Sequence, residues 1–183
     1  MAYHGGMDAS SEALEISPSV ETQKKAQIIP YTDAYQQQTK ELVLGTLADD
    51  FDVHVDLPDL DNISDTYQKD NGNFWVAVDK GKVVGAIALR DYGEGRGMLK
   101  RFYVEKPHRG TDVASNLFST LLTFAQEKQY KDIYLTTTQE TEAAQKFFRR
   151  HGFAQIPELP EDIPDFGDPL FYKLAIGSTN EEK

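Results

Sequence analysis

A mixed α/β domain, with a mostly antiparallel sheet and helices on both of its faces, is the fold this sequence predicts. Three observations lead there. Short runs rich in β-branched and aromatic residues alternate with segments of helical period in the order β-α-α-β-β-β-α-β-α-β-β. Two of the runs are joined by the turn sequence DKGK, which makes them an antiparallel hairpin. One helix, over residues 112–128, links two strands as a crossover, so only that pair need run parallel.

Residues 1–25 are rich in Gly, Ser, Ala and Glu without sustained periodicity and read as a flexible leader. The domain spans 26–176, and 177–183 is a polar tail. KAQIIPY (25–31) is a short strand. Thr32 then caps a helix from Asp33 to Leu47, with Tyr35, Leu42, Val43 and Leu47 turned inward. An acidic segment with Pro58 follows, with a short helix near Ile63 to Lys69. The hairpin occupies 73–92, and GEGRG (93–97) turns the chain into a third strand, 98–106. In the 112–128 helix, Val113, Leu117, Leu121, Leu122, Phe124 and Ala125 recur at helical spacing. A strand at 132–138 and a helix at 140–153 come next, the helix with Ala144, Phe147 and Phe148 inward and Gly152 at its end. A last antiparallel pair, FAQIPE and LFYKLAI (170–176), encloses an acidic loop.

Composition narrows the function classes. At 183 residues the chain fits one domain, and its 39% apolar content is ordinary for a soluble globular protein. With no Cys, it has no disulfides, thiolate metal sites or cysteine nucleophile, which suits a reducing cytoplasm. No stretch approaches the ~20 apolar residues that span a bilayer, and the N-terminus has no signal-peptide pattern. A soluble, cytoplasmic chain is therefore expected. A formal charge of −11 argues against nucleic acid and anionic membrane as partners; a homodimer is compatible with the sequence.

The charge is unevenly placed. Asp49, Asp50, Asp52, Asp56, Asp59, Asp61, Asp65 and Asp70 crowd one segment, and Glu158, Glu161, Asp162, Asp165 and Asp168 another. Arg96, Lys100, Arg101, Lys106 and Arg109 form one basic group, and Lys146, Arg149 and Arg150 a second. Solvated faces would explain these runs. The functional alternative is acidic segments facing a cationic acceptor and basic segments facing an anionic cofactor. His4, His54, His108 and His151 lack ligand spacing, and the Asp-rich DLPDLDNISD lacks the Gly and Glu of a calcium loop, so no metal is expected.

The most informative stretch is VEKPHRGTDVASNL, residues 104–117. A strand passes through Arg109 and Gly110 into a helix starting near Thr111 or Asp112. Helix N-termini expose unpaired N–H groups and attract phosphate. Gly110 lets the backbone approach, Ala114 is small, and Lys106, His108 and Arg109 add cationic side chains. Asp112, a fixed negative charge, stands in the middle of the turn.

LKRFYVEKPHRGTDVASNLF, followed by YLTTT and AAQKFFRRHGF, resembles the GNAT superfamily of N-acetyltransferases over roughly residues 26–176. The family signature Gln/Arg-x-x-Gly-x-Gly/Ala reads here Arg109-Gly110-Thr111-Asp112-Val113-Ala114. The preceding strand matches at Phe102, Tyr103 and Val104, and the Gly-Phe at a helix end at Gly152-Phe153. The resemblance implies that acetyl-CoA is the co-substrate. It implies that the amides of Arg109, Gly110, Thr111, Asp112, Val113, Ala114 and Ser115 cradle its pyrophosphate, and that the backbone of Phe102, Tyr103 and Val104 pairs with pantetheine. It further implies an amine acceptor, a small cationic molecule or an exposed protein amine, on the side of the acidic runs.

The sequence departs from the family pattern at three points. Asp112 replaces the signature's central Gly. Phe148 stands where many relatives carry a proton-donating Tyr, and Met98 where relatives with a similar strand carry a Glu. Tyr134 and Tyr172 are substitutes by position, each also readable as a core Tyr, and no catalytic residue is assigned. Together the departures open a second reading, a non-catalytic acyl-CoA- or partner-binding module on the same fold.

Overall fold

The computed structural model describes residues 25–138 and 142–177. Most of the expected leader and tail lie outside the described residues, as does the expected start of the last helix. Seven strands form one sheet in the order β1-β2-β3-β4-β5-β7-β6, where β1 is Gln27–Pro30, β2 Asn73–Asp79, β3 Lys82–Asp91, β4 Arg96–Val104, β5 Asp132–Thr137, β6 Ala154–Ile156 and β7 Leu170–Ala175. Among the described residues three α-helices accompany them: α1 Gln36–Phe51, α2 Val113–Glu127 and α3 Glu142–Arg150. All neighbouring strands are antiparallel except β4 and β5, the pair that α2 connects. The final pair does more than the sequence implied, because β7 also inserts between β6 and β5.

The strand alternation buries both faces. In β2, Trp75 and Ala77 join a core with Leu117 and Leu121 of α2 and Phe148 of α3. Phe74 and Val76 join a second core with Val43 of α1, Leu60 and Tyr67. Leu117 and Leu121 are fully buried, and each contributes about 2 kcal/mol of transfer free energy. Helices therefore cover both faces, as expected.

Local chemistry explains the boundaries. Lys80 and Gly81 both have positive φ (52° and 79°), the twist that a two-residue hairpin turn requires. Helix α1 runs four residues past the expected Leu47, because Ala48 to Phe51 contain no breaker. It ends at Asp52, whose left-handed conformation (φ 54°) directs the next N–H groups back to Ala48 and Leu47. Gln38 on α1 accepts from the Val83 N–H (2.9 Å), tying the helix to the hairpin. Strand β4 starts two residues early because the 93–95 turn closes tightly, with Tyr92 N–H to the Arg96 carbonyl at 2.9 Å. It ends at Val104, where Pro107 enters a 3-10 turn over Lys106–His108. The acidic segment carries an additional 3-10 turn at Pro58–Asp61, and the expected helix near 63–69 is one π-type turn, Ser64–Gln68.

Candidate active site

The sheet forks between β4 and β5. They pair only over Arg96–Met98 against Asp132–Tyr134. Beyond that, β4 continues against β3, and β5 pairs only with β7. The edge of β4 from Leu99 onward and the edge of β5 from Leu135 onward thus keep no strand partner between them.

A β-bulge accompanies the fork. Ala88 faces Lys100, but Ala86 faces Tyr103, so β4 carries one extra residue. A bulge bends its strand and redirects side chains. Arg101 sits there with φ 55°, a conformation that costs a non-Gly residue about 1 kcal/mol or more. What holds it is a clamp. Arg101 donates through Nε and Nη2 to both oxygens of Asp59, each at 2.8 Å, and the Tyr67 hydroxyl donates to Asp59 Oδ2 at 2.6 Å. Burial alone would raise the Asp59 carboxyl, but these hydrogen bonds outweigh it and hold it below the ordinary carboxylate range. The extra residue also lets Lys100 and Arg101 point to the same face, while Leu99 and Phe102 pack into the core on the other.

The turn after β4 exposes donors. Gly110 has φ 77° with open space where a Cβ would lie. Among the described residues, the N–H groups of Thr111, Asp112, Ala114 and Ser115 have no backbone acceptor. The Val113 N–H makes only a long contact (3.4 Å) with Thr111 Oγ1, which itself donates to the His108 carbonyl. This cluster of orphan amides at a helix N-terminus is what a phosphate group requires.

The side chains of the turn depart from expectation. Arg109 donates to the Val104 carbonyl (2.8 Å) and to Asp50 (2.7 Å), so its guanidinium braces the turn against α1. His108 lies between Glu105 (2.9 Å) and Asp79 (3.0 Å). Of the three expected cations only Lys106 has no ion pair among the described residues. Asp112 makes no capping hydrogen bond; its carboxylate meets Lys25 Nζ at 2.9 Å, and this bond holds the acid below its ordinary value.

The acidic runs are largely engaged within the chain. Besides Asp59 and Asp50, Asp61 pairs with Lys40 (2.6 Å), Asp65 with Lys69 (3.6 Å) and Asp162 with Arg96 (2.5 Å). Asp165 accepts from Gly167 N–H and Asp168 from the Thr136 hydroxyl (2.7 Å).

The proton-transfer candidates separate. Phe148 is buried among Phe102, Phe147 and Phe153. Tyr172 is fully buried, donating to Gln145 (3.0 Å) and accepting from Arg149 (3.2 Å), which makes it a core tyrosine. Tyr134 packs with Met98 and Ile163 on the face of the sheet opposite α2. The sequence grouped Lys100 with residues facing the cofactor phosphates. In the structure it lies on the Met98–Tyr134 side, which its position two residues after Met98 already implied. Burial, reinforced by Arg101, pushes its ammonium down to about 8.

A seven-stranded mixed sheet that parts between β4 and β5 beside an open helix N-terminus is the architecture of a known class of acetyltransferases. The chain belongs to the acetyltransferase (GNAT) family, whose model matches residues 40–153. It is 38% identical over 107 residues to N-acetylaspartate synthetase of Xenopus tropicalis, covering 57% of this chain and 40% of that protein. It is 34% identical over 117 residues to N-acetyltransferase 8 of Rattus norvegicus, covering 61% and 51%. The chain thus spans about half the length of these curated relatives or less. An acetyltransferase of the GNAT family from Staphylococcus aureus superposes with a TM-score of 0.79 at 28% identity, covering 83% of this chain and 99% of that one.

Proposed function

We propose that the chain transfers the acetyl group of acetyl-CoA to the nitrogen of a primary amine. The observation that carries this reading is the juxtaposition of two unfilled backbone sites. The orphan amides of Thr111, Asp112, Ala114 and Ser115 suit the pyrophosphate, with Lys106 as an added cation. The edge of β4 at Phe102, Tyr103 and Val104 faces no strand and suits the amides of pantetheine, laid in the fork as an extra strand, with the Val104 carbonyl already accepting from Arg109. That arrangement brings the thioester to the fork.

The amine must arrive or become neutral, releasing one proton to solvent. Its lone pair then attacks the thioester carbon, the C–N bond forms, the C–S bond breaks, and the departing thiolate takes the second nitrogen proton. Holding amine and thioester together supplies much of the acceleration, so the reaction proceeds without the side chains that Phe148 and Met98 replace. The acceptor is a small molecule or an exposed protein amine. The acidic runs support a cationic acceptor less than their number implied, because most of their carboxylates already have partners. An amino acid enters the set, since one relative is named for N-acetylaspartate synthesis.

The test uses Gly110. Gly110→Asn tolerates the left-handed conformation and should bind coenzyme A within about threefold of the parent. Gly110→Pro fixes φ near −65° and should abolish binding measured by calorimetry. Equal binding by both variants would place the cofactor elsewhere. Tight binding by the parent without release of free thiol from acetyl-CoA, over a broad panel of amines, would favour the non-catalytic module.

A further inference from the structure

On the face of the sheet opposite α2, two cations make no ion pair among the described residues. Lys100 follows the last β4–β5 pair, Met98↔Tyr134, by two residues, which puts it at the fork. Its ammonium lies 3.7 Å from the centre of the Phe166 ring and makes no ion pair among the described residues. The nearby carboxylates are engaged elsewhere: Asp59 by Arg101 and Tyr67, Asp168 by Thr136. Arg90 of β3 is a diagonal neighbour, since Ala88 faces Lys100 and Arg90 faces Met98. Arg90 has a ring contact with Tyr92 at 5.8 Å and likewise no ion pair among the described residues. It lines a cavity of about 550 Å³ that also includes Tyr67, Tyr92, Asp65 and Asp70.

Partly buried charges are normally paired, because desolvation otherwise disfavours them. Burial and the neighbouring Arg101 and Arg90 weaken the charged form of Lys100 more than the carboxylates of Asp59 and Asp168 strengthen it. A neutral or cationic acceptor would leave that imbalance in place or worsen it. An anionic group would correct it and gain charge-assisted hydrogen bonds.

Resting on the acetyl-transfer reading, we propose that Lys100 and Arg90 form the subsite for the carboxylate of an amino-acid acceptor. In an α-amino acid, carboxylate and amine share one carbon. A carboxylate held at Lys100 therefore keeps the amine beside the fork, where the thioester arrives. The side chain of the amino acid extends along Arg90 toward the cavity. The reaction is amide formation as written above, and the carboxylate takes no part in bond making.

The experiment compares matched acceptors with the full chain: L-phenylalanine against phenethylamine, and L-aspartate against its diamide, following thiol release from acetyl-CoA. Amino acids should turn over and the partners lacking the carboxylate should not. Lys100→Met and Arg90→Met should each raise KM for the amino acid about 10–100-fold, the loss of one charge-assisted hydrogen bond. Coenzyme A affinity should stay within about twofold, and Lys100→Arg should recover most of the loss. Equal turnover of matched partners, or unchanged KM in both Met variants, would overturn the subsite. A second arm titrates N-acetylaspartate into the coenzyme A complex by calorimetry, comparing parent and Lys100→Met. No thiol release from any amine, with Lys100-dependent binding of N-acetylaspartate, would refute the transfer reading and keep the subsite. No binding of the N-acetyl amino acid by the parent would refute the subsite itself.

Discussion

Asp112 occupies the turn where a coenzyme A pyrophosphate is proposed to sit, and its partner is Lys25 from the chain before β1. The pair is exposed on both sides, with side chains 77% and 63% accessible, so it adds little to stability. Its effect is electrostatic. Asp112 holds Lys25 beside the orphan amides of the turn and cancels part of the field that would attract an anion. Asp112→Asn should remove the opposing charge, release Lys25, and tighten coenzyme A binding about threefold to fivefold. Lys25→Ala should weaken binding by a similar factor, because it leaves the carboxylate unopposed. Neither melting temperature should move by more than about 2 °C, as for a screened surface pair. Isothermal titration with both single variants and the double variant measures the coupling. If Asp112→Asn bound coenzyme A more weakly, the carboxylate would be organising the turn.

At the scale of elements, the clamp of Asp59, Tyr67 and Arg101 joins the segment between α1 and β2 to the bulge of β4. Removing the carboxylate's charge leaves Arg101 half-buried without its partner. Asp59→Asn should cost about 2 kcal/mol in urea unfolding at pH 7. It should also lower acetyl transfer, because the bulge sets the direction of Lys100. The pH dependence has a definite sign. The folded carboxyl lies below its unfolded value, so the clamp's contribution is complete above the unfolded carboxylate range, near 3.9, and is lost as pH falls through the folded value. The difference between parent and variant should therefore shrink between pH 5 and pH 2. A variant that unfolds at the parent's urea midpoint at pH 7 would show that the bulge is held by something else.

For the molecule as a whole, the fork is an opening in an otherwise continuous sheet of seven strands. An extended ligand that fills it should protect backbone amides that the free protein leaves to water. Hydrogen exchange with and without coenzyme A should show slowing of about tenfold or more for amides of 99–104 that do not bond to β3, and for 110–115. The β2–β3 hairpin, paired on both edges, should change little. Protection confined to the hairpin, or absent from 99–104, would mean that the ligand does not lie along β4. The described residues contain no helix long and apolar enough to cross a membrane.

The hairpin, the α2 crossover, the inward faces of Leu117 and Leu121, and the Gly110 turn are all legible in the amino-acid sequence alone. Each depends on residues within a few positions of one another: alternation of period two, helical spacing, or the conformational range of one glycine. The charges are not legible there, for the opposite reason. Arg101 meets Asp59 across 42 positions, Arg96 meets Asp162 across 66, and Lys25 meets Asp112 across 87. No local pattern reveals such partners. A count of like charges looks like a surface waiting for a ligand until folding shows which are already neutralised. The bulge is of the same kind: one extra residue, visible only against the register of β3, turns both Lys100 and Arg101 to one face. Local sequence determined which elements form and where the Gly110 turn lies. Long-range packing decided which charges remain unpaired around the fork, because only desolvation and proximity in three dimensions make an ion pair.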